Sequence, residues 1–155
     1  MVKHPPLTFE YSQITPYVYL GTNMCCQLHF RQSLLRKGVV ADISLEEDSI
    51  DRPFGVKYYL WLPTPDHLAP SQQQLAIGVQ FMRELAKRRI KCYVHCKHGH
   101  GRSPILIAAY LVSTGMKGEE AVAYLRKRRP SIHPNKKQLA LLKKFELTHP
   151  SFPQE

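Results

Sequence analysis

Apolar residues along the chain alternate between short β-branched runs and longer stretches with helical spacing. Val39 to Ile43 and Lys91 to His95 are short and rich in β-branched or aromatic residues, which is typical of buried strands. Ile105 to Val112 is apolar around its whole circumference, so it predicts a helix buried inside the domain. An amphipathic helix capped by Ser71 is predicted where apolar residues recur at intervals of four, three and four, at Leu75, Val79, Met82 and Ala86.

The remaining pattern completes an α/β outline. It predicts strands at Ile14 to Leu20 and Val56 to Leu62, a short helix at Met24 to Lys37, a helix with a solvated basic end at Arg126 to Arg129, and a last helix capped by Asn135. Residues 1–13 are expected to form a loose or edge segment, and the acidic run from Glu46 to Asp48 a surface loop. Strands followed by a strand-loop-helix unit and further helices indicate a mixed central sheet with helices on both faces.

Length and composition limit the classes of protein that fit this pattern. With 155 residues and no internal repeat, residues 1–155 are expected to form one domain. The apolar stretches are too short to span a membrane, and the four cysteines have no spacing typical of a secreted disulfide framework. A cytoplasmic, intracellular protein is therefore expected. The formal charge of +10 favours anionic partners.

The segment His95-Cys96-Lys97-His98-Gly99-His100-Gly101-Arg102-Ser103 carries the clearest chemistry in the chain. It joins a predicted strand to a predicted buried helix, and its two glycines allow the backbone N–H groups to turn inward beside the helix N-terminus. Such a loop binds anions. A cysteine at its rim is expected to have its thiol pKa lowered from ~8.5 to the range of roughly 3.5 to 7.5, so that Cys96 is a thiolate at neutral pH.

Two further side chains of this segment suit a phosphate ligand. Arg102 can hold two phosphate oxygens in a bidentate fork, which a lysine cannot do. Ser103 can donate a hydrogen bond to the sulfur and assist its departure in a second step. A nucleophile and an anion cradle are thus expected within eight residues.

The order His95-Cys96-x5-Arg102-Ser103 resembles the signature of the cysteine-dependent protein tyrosine phosphatase superfamily, and its late position resembles the dual-specificity branch. The resemblance extends from Ile14 to the helix that begins after Asn135. It implies an α/β dual-specificity phosphatase fold with a strand, phosphate loop and helix at the active site. It also implies that Lys97, His98, Gly99, His100, Gly101 and Arg102 bind the phosphate, and that His95 supports the loop.

The general acid that protonates a leaving group must be a carboxyl group on a loop able to reach Cys96. Among the candidates, Asp42 falls within a predicted strand, and the carboxyl groups between Glu46 and Asp51 are interpreted as a solvated loop. Asp66 lies in a loop stiffened by three prolines, thirty residues before Cys96. The resemblance assigns the acid to that spacing, so Asp66 is expected to fill the role.

The substrate is less well determined by the sequence. A dual-specificity protein phosphatase acting on phosphotyrosine, phosphoserine and phosphothreonine is the first interpretation, because a short chain predicts a shallow cleft. Lys97, His98 and His100 leave a phosphoinositide or inositol polyphosphate phosphatase as an alternative. An RNA 5'-triphosphatase fits less well, since Gly101 stands where such relatives have asparagine, and a non-catalytic phosphate-binding module would not need the intact cysteine, arginine and aspartate.

The expected chemistry needs no metal and no cofactor. His95, Cys96, His98 and His100 alternate around a glycine turn and lack the paired spacing of zinc ligands. The expected partner is a phosphorylated protein or another phosphate-rich anion, without a stable nucleic acid complex. Cys25, Cys26 and Cys92 are interpreted as packing residues.

Overall fold

The computed structural model describes residues 6–149, which form a mixed five-stranded sheet with the strand order β1-β2-β5-β3-β4. Its strands are β1 (Tyr11–Thr15), β2 (Val18–Gly21), β3 (Val39–Glu46), β4 (Tyr58–Thr64) and β5 (Lys91–His95). β1 pairs with β2 in antiparallel fashion, whereas β2, β5, β3 and β4 are parallel. The carboxyl ends of four strands therefore meet at one edge of the sheet.

Five α-helices accompany the sheet within the same residues. They are α1 (Gln32–Arg36), α2 (Gln72–Lys87), α3 (Arg102–Ser113), α4 (Gly118–Arg128) and α5 (Lys136–Thr148). α3 is buried along its whole length, because α2, α4 and α5 pack around it and it covers β5. The buried helix expected from the apolar run is confirmed.

Alternate residues of β5 contribute to two separate cores, as the two-residue period of a strand requires. Cys92 and Val94 face the large core that includes α2 to α5. Tyr93 faces the opposite side of the sheet, where it packs with Phe30 and Leu34. Both faces of β5 are therefore covered, and its residues from Cys92 to His95 are all buried.

Two predicted helix starts are confirmed in atomic detail. The Ser71 hydroxyl accepts a hydrogen bond from the Gln74 backbone N–H, and the Gln74 side chain accepts one from the Ser71 backbone N–H. Asn135 and Gln138 form the same capping box at the start of α5. These caps fix the positions of both helices relative to the loops that precede them.

Two predicted elements differ from the structure. The single strand expected at Ile14 to Leu20 is a hairpin, because the chain turns at Pro16 and continues as β2. The helix expected from Met24 to Lys37 is reduced to the five residues of α1. The segment before α1 instead exchanges backbone hydrogen bonds with a neighbouring loop. The N–H of Phe30 donates to the carbonyl oxygen of Phe54, and the carbonyl oxygen of Cys26 accepts from the N–H of Arg52.

The cysteines lie inside the protein. Cys25, Cys26 and Cys92 are buried, and Cys92 lies in the large core, as expected of a packing residue. Cys25 and Cys26 are joined to each other by a disulfide bond.

Candidate active site

The loop from Cys96 to Arg102, called the Cys96 loop below, connects β5 to α3 at the carboxyl edge of the sheet. Gly99 has a φ of +75°, and a Cβ there would lie 2.7 Å from the carbonyl oxygen of Gly21. A Cβ on Gly101 would lie 2.7 Å from Oε1 of Gln138. The loop therefore needs glycine at both positions, at the first for its backbone conformation and at both for space.

Cys96 is buried at the base of this loop, and its Sγ lies 3.2 Å from Oγ of Ser103. Burial raises the pKa of the Cys96 thiol, but the charge of Arg102 and hydrogen bonds from Ser103 and the Gly99 backbone lower it below its ordinary value. Cys92 has no such neighbours, and burial raises its pKa to about 12. The structure thus separates a reactive from an inert cysteine.

We expect the alkylation of Cys96 by iodoacetamide to reach half its maximal rate at a pH below ~8.5, the ordinary thiol pKa. The thiolate is the reacting form, so the rate rises with pH through the lowered pKa of Cys96. Ser103→Ala should move this midpoint upward, because the thiolate loses one donor. Mass spectrometry locates the adduct, with buried Cys92 as the internal control. A midpoint at or above ~8.5 in the unmodified protein would contradict this account.

Arg102 is buried beside the thiol, with its guanidinium pointing toward the end of β4. Its Nη1 donates a hydrogen bond of 2.8 Å to the carbonyl oxygen of Thr64. Its Nη2 lies 3.5 Å from Oδ1 of Asp66. These contacts hold the planar guanidinium in place and bring the predicted clamp and the predicted acid together.

Asp66 lies on the exposed loop between β4 and α2, here called the acid loop, residues 65–70. Its Oδ1 accepts a hydrogen bond of 2.9 Å from the backbone N–H of His67. The loop is attached to the start of α5, because the side chains of Asn135 and Gln138 donate to the carbonyl oxygens of His67 and Leu68. The capping box of α5 therefore also positions the acid loop.

His95 supports the Cys96 loop from below. Its Nδ1 donates to the carbonyl oxygen of Cys96 at 3.0 Å, and its Nε2 lies 2.7 Å from Oδ2 of Asp51 and 3.1 Å from Oδ1 of Asp42. Burial lowers the pKa of His95, but the two aspartates outweigh burial and raise it well above its ordinary value. Both ring nitrogens then donate, which fixes the orientation of the ring.

The two aspartates have different pKa shifts. Burial raises the pKa of Asp42 to about 7. Burial also opposes the charge of Asp51, but its hydrogen bond with His95 lowers the pKa of Asp51 below its ordinary value. Asp51 is therefore the charged partner of the imidazolium, and the interpretation of the segment from Glu46 to Asp51 as a solvated loop is wrong at both ends, since Glu46 and Asp51 are buried.

Arg129 holds the upper part of the Cys96 loop. It is 2% exposed and donates to the carbonyl oxygens of His98 and Gly99 at 3.0 and 3.2 Å. The same guanidinium forms a bidentate ion pair with Glu10, with N···O distances of 2.5 and 2.9 Å. The sequence interpretation treated Arg129 as part of a solvated helix end, which its burial contradicts.

An open pocket of about 550 Å³ lies above Cys96. Its walls come from the Cys96 loop, the acid loop and the segment that begins α5. The lining residues are Asp66, His67, Cys96, His98, His100, Gly101, Arg102, His133, Asn135 and Gln138. The structure thus brings most of the predicted site residues together, whereas Lys97 is exposed and does not line this pocket.

Several contributors to this site were missed by sequence interpretation. Among them, His133 and Gln138 line the pocket, Asp42 contacts His95, and Arg129 binds the loop. Each of these four lies at least thirty positions from its partner on the Cys96 loop or its supporting histidine, so no local pattern identifies them. The one available signal was the charged residue Asp42 inside a predicted buried strand, since an isolated buried charge requires a partner.

The family model described as "Dual specificity phosphatase, catalytic domain" matches residues 18–148. The chain belongs to this family. "Protein tyrosine phosphatase type IVA 2" of Mus musculus is 30% identical over 123 residues, which cover 75% of this chain and 72% of the relative. Human "Dual specificity protein phosphatase 5" is 27% identical over 126 residues, 79% of this chain and 32% of the relative.

Solved structures of dual-specificity phosphatases and their relatives share the architecture. PTPMT1 in complex with PI(5)P is 30% identical with a TM-score of 0.77, covering 89% of this chain and 95% of that one. Human DUSP28 has a TM-score of 0.80 at 22% identity, and the match covers 88% of this chain and 96% of DUSP28. At this identity the likeness supports the fold alone. The resemblance to the cysteine-dependent superfamily is confirmed, and the protein is a cysteine-based phosphatase of this family. None of the helices between residues 6 and 149 is long and apolar enough to cross a membrane.

Proposed function

We propose that this phosphatase hydrolyses phosphate monoesters through a phosphocysteine intermediate. The observation that carries the proposal is the placement of Cys96, Arg102 and Asp66 around one pocket, with Ser103 at 3.2 Å from the sulfur. The Cys96 thiolate attacks phosphorus, and the bond from phosphorus to the ester oxygen breaks as the S–P bond forms. Asp66 gives its proton to the departing oxygen. Arg102 and the backbone donors of the Cys96 loop hold the remaining phosphate oxygens.

The second step regenerates the enzyme. A water molecule attacks the phosphorus, Asp66 accepts its proton, and the S–P bond breaks to release inorganic phosphate. Ser103 donates a hydrogen bond to the departing sulfur, which stabilises the thiolate. His95 and Arg129 do not touch the substrate in this scheme, and they act by holding the Cys96 loop.

The first substrate class we propose is a small phosphate ester that carries further negative charge, such as a phosphoinositide or an inositol polyphosphate. The pocket supports this class, because imidazoles from three loops and the Arg102 guanidinium surround the thiol and the lining contains one carboxylate, Asp66. The likeness to PTPMT1, which was solved with PI(5)P, supports the same class.

A dual-specificity protein phosphatase, which is the first interpretation of the sequence, is the second candidate here. The names of the relatives, protein tyrosine phosphatase type IVA 2 and dual specificity protein phosphatase 5, favour it. The pocket is also open enough for side chains of different lengths.

The experiment that separates the candidates measures release of inorganic phosphate from short-chain phosphoinositides, inositol polyphosphates, and phosphotyrosine and phosphothreonine peptides. We expect kcat/KM for the best polyanion to exceed that for either peptide by about tenfold or more, which corresponds to roughly 1.4 kcal/mol of transition-state binding. Peptides that react at least as fast would favour the second candidate. Release that Cys96→Ser does not abolish would contradict both.

A further inference from the structure

A group of side chains of the types that bind metal ions lies inside the protein, next to His95. One sulfur, oxygen or nitrogen atom from each of Cys25, Cys26, Asp42, Asp51 and His95 lies within 4.8 Å of every other one in the group. All five side chains are buried, and none of them lines the pocket above the nucleophile. This group, called the His95 cluster below, is therefore separate from the substrate pocket.

The fold brings the His95 cluster together from four segments. Cys25 and Cys26 follow β2, Asp42 lies in β3, Asp51 lies in the connection between β3 and β4, and His95 ends β5. β3 and β5 are paired, and the backbone N–H of the residue after Asp51 donates to the carbonyl oxygen of Cys26 at 2.9 Å. The cluster therefore has a fixed arrangement, as a site for one ion requires.

The two carboxylates of the cluster have more acceptor oxygens than donors. Asp42 is fully buried, and neither of its carboxylate oxygens accepts a hydrogen bond within the described chain. Nε2 of His95 carries one hydrogen, which is directed at Oδ2 of Asp51 at 2.7 Å, whereas Oδ1 of Asp42 lies 3.1 Å from the same nitrogen. A buried oxygen without a donor is destabilising, and a bound cation removes that penalty.

The donor types of the cluster favour zinc over other divalent ions. Zinc binds cysteine sulfur, histidine nitrogen and carboxylate oxygen with four ligands in structural sites, whereas calcium and magnesium prefer oxygen alone. The sulfurs of Cys25 and Cys26, Nε2 of His95 and one carboxylate supply four ligands, and Sγ of Cys26 already lies 3.6 Å from that nitrogen.

The outer contact of His95 is also the one that a zinc ligand needs. Histidines that bind zinc usually donate their other ring N–H to a carboxylate or a backbone carbonyl, which fixes the tautomer and the ring orientation. Nδ1 of His95 donates to the carbonyl oxygen of Cys96 at 3.0 Å. Nε2 is therefore the nitrogen directed into the cluster.

Zinc binding requires the cysteines in their reduced form. In the structure Cys25 and Cys26 are joined by a disulfide bond, which a dithiol reductant breaks. Each cysteine sulfur gains one electron and one proton, while the dithiol loses two of each and forms its own disulfide. Zinc then replaces the protons of the two thiols. The zinc site therefore belongs to the reduced protein.

We propose that the reduced protein binds one zinc ion through Cys25, Cys26, Asp42 and His95. Asp42 is the carboxylate whose two oxygens both lack a hydrogen-bond donor. The ion joins the segment after β2 to β3 and β5 below the Cys96 loop, and it takes no part in the chemistry of the pocket. The site does not depend on the proposed phosphatase activity.

The test measures zinc binding to protein that has been reduced with a dithiol and then freed of the reductant and of metal under nitrogen. Cys96→Ser serves as the background, because it removes the thiol at the pocket. Competition with a chromophoric chelator should give one zinc ion per chain with a Kd below about 100 nM. Cobalt in place of zinc should give the thiolate-to-metal charge-transfer absorption of a tetrahedral site with sulfur ligands.

Changes within the cluster should weaken zinc binding by about a hundredfold or more. The variants are the double change Cys25→Ser/Cys26→Ser and the single change Asp42→Asn, and losing a ligand should weaken binding at least as much as losing an outer contact. Cys92→Ala is the matched control, because it removes a buried cysteine that lies outside the cluster, and it should keep the same Kd.

A comparison of redox states needs no variant of the cluster to fold. Protein with the bond between Cys25 and Cys26 intact should bind no zinc with this affinity, and binding that depends on reduction and on Asp42 supports the site. Absence of zinc binding by the reduced protein, equal binding by both redox states, cobalt bound without thiolate absorption, or a Kd unchanged in the double variant overturns it. No turnover is measured, so failure of the zinc site and failure of the proposed function are distinguishable.

Discussion

Replacing Cys96 with serine should reduce the release of phosphate from every substrate to less than about one per cent of the normal rate. The serine hydroxyl stays protonated near neutral pH, and an alkoxide is a much poorer leaving group than a thiolate in the second step. The contacts from Arg102 and Ser103 that stabilise a thiolate cannot compensate for the weaker nucleophile or for the poorer leaving group. Steady-state release of inorganic phosphate measures the effect.

The matched control is Cys92→Ala, which removes the other free cysteine of the described chain. Cys92 lies on the same strand, four residues earlier, but it faces the large core. Its thiol is not ionised near neutral pH, so the control should keep most of the activity. A Cys96→Ser variant that retains more than a few per cent of the rate would contradict the assignment of the nucleophile.

Arg129→Ala should lower the free energy of unfolding by about 3 kcal/mol, the lower end of the range for breaking a buried ion pair. The lower end applies because Glu10 is half exposed, whereas Arg129 is 2% exposed. The substitution also removes the donors to the carbonyl oxygens of His98 and Gly99, so the Cys96 loop loses its upper support. We therefore expect kcat to fall as well.

Equilibrium unfolding in urea measures the loss, and Lys127→Ala on the same helix is the control. Lys127 is exposed, so its replacement should change stability by no more than about 0.5 kcal/mol. Arg129→Lys should be intermediate, because lysine retains the charge but cannot form the fork with Glu10. Equal stability of Arg129→Ala and Lys127→Ala would show that the buried ion pair does not support the fold.

The local features of this protein could be predicted from the sequence because their causes are local. The glycines of the Cys96 loop, the capping residues Ser71 and Asn135, and the apolar run of α3 each act within a few residues of themselves. The nucleophile and its clamp are six residues apart, so one segment was sufficient to suggest both.

The features that were missed depend on distant partners. Glu10 and Arg129 are separated by 119 residues, and Asp51 and His95 by 44. An exposed arginine at a helix end and a buried arginine in an ion pair have the same local sequence, so helix polarity predicted the wrong environment for Arg129. Likewise, the helix before β3 is shorter than expected, because the preceding segment forms backbone hydrogen bonds with the loop around Phe54. Only the tertiary structure brings that loop close to the segment.

The lining of the pocket changes the reason for expecting an anionic substrate. The sequence placed the extra positive charge on Lys97, His98 and His100, all within the Cys96 loop. In the structure Lys97 is exposed outside the lining, and His133 joins the two loop histidines instead. The groups that can hold an anionic substrate in the pocket are therefore imidazoles and the Arg102 guanidinium instead of a lysine.

The most direct test of the central claim is to trap the phosphocysteine intermediate. The enzyme is mixed rapidly with substrate, quenched with acid, digested and analysed by mass spectrometry, in the unmodified protein and in Asp66→Asn. We predict one added phosphoryl group on the peptide that contains Cys96, with slower formation and slower loss in the variant, because Asp66 serves both steps. A protein that releases phosphate at a normal rate while no phosphoryl group is found on Cys96 in either form would contradict the account.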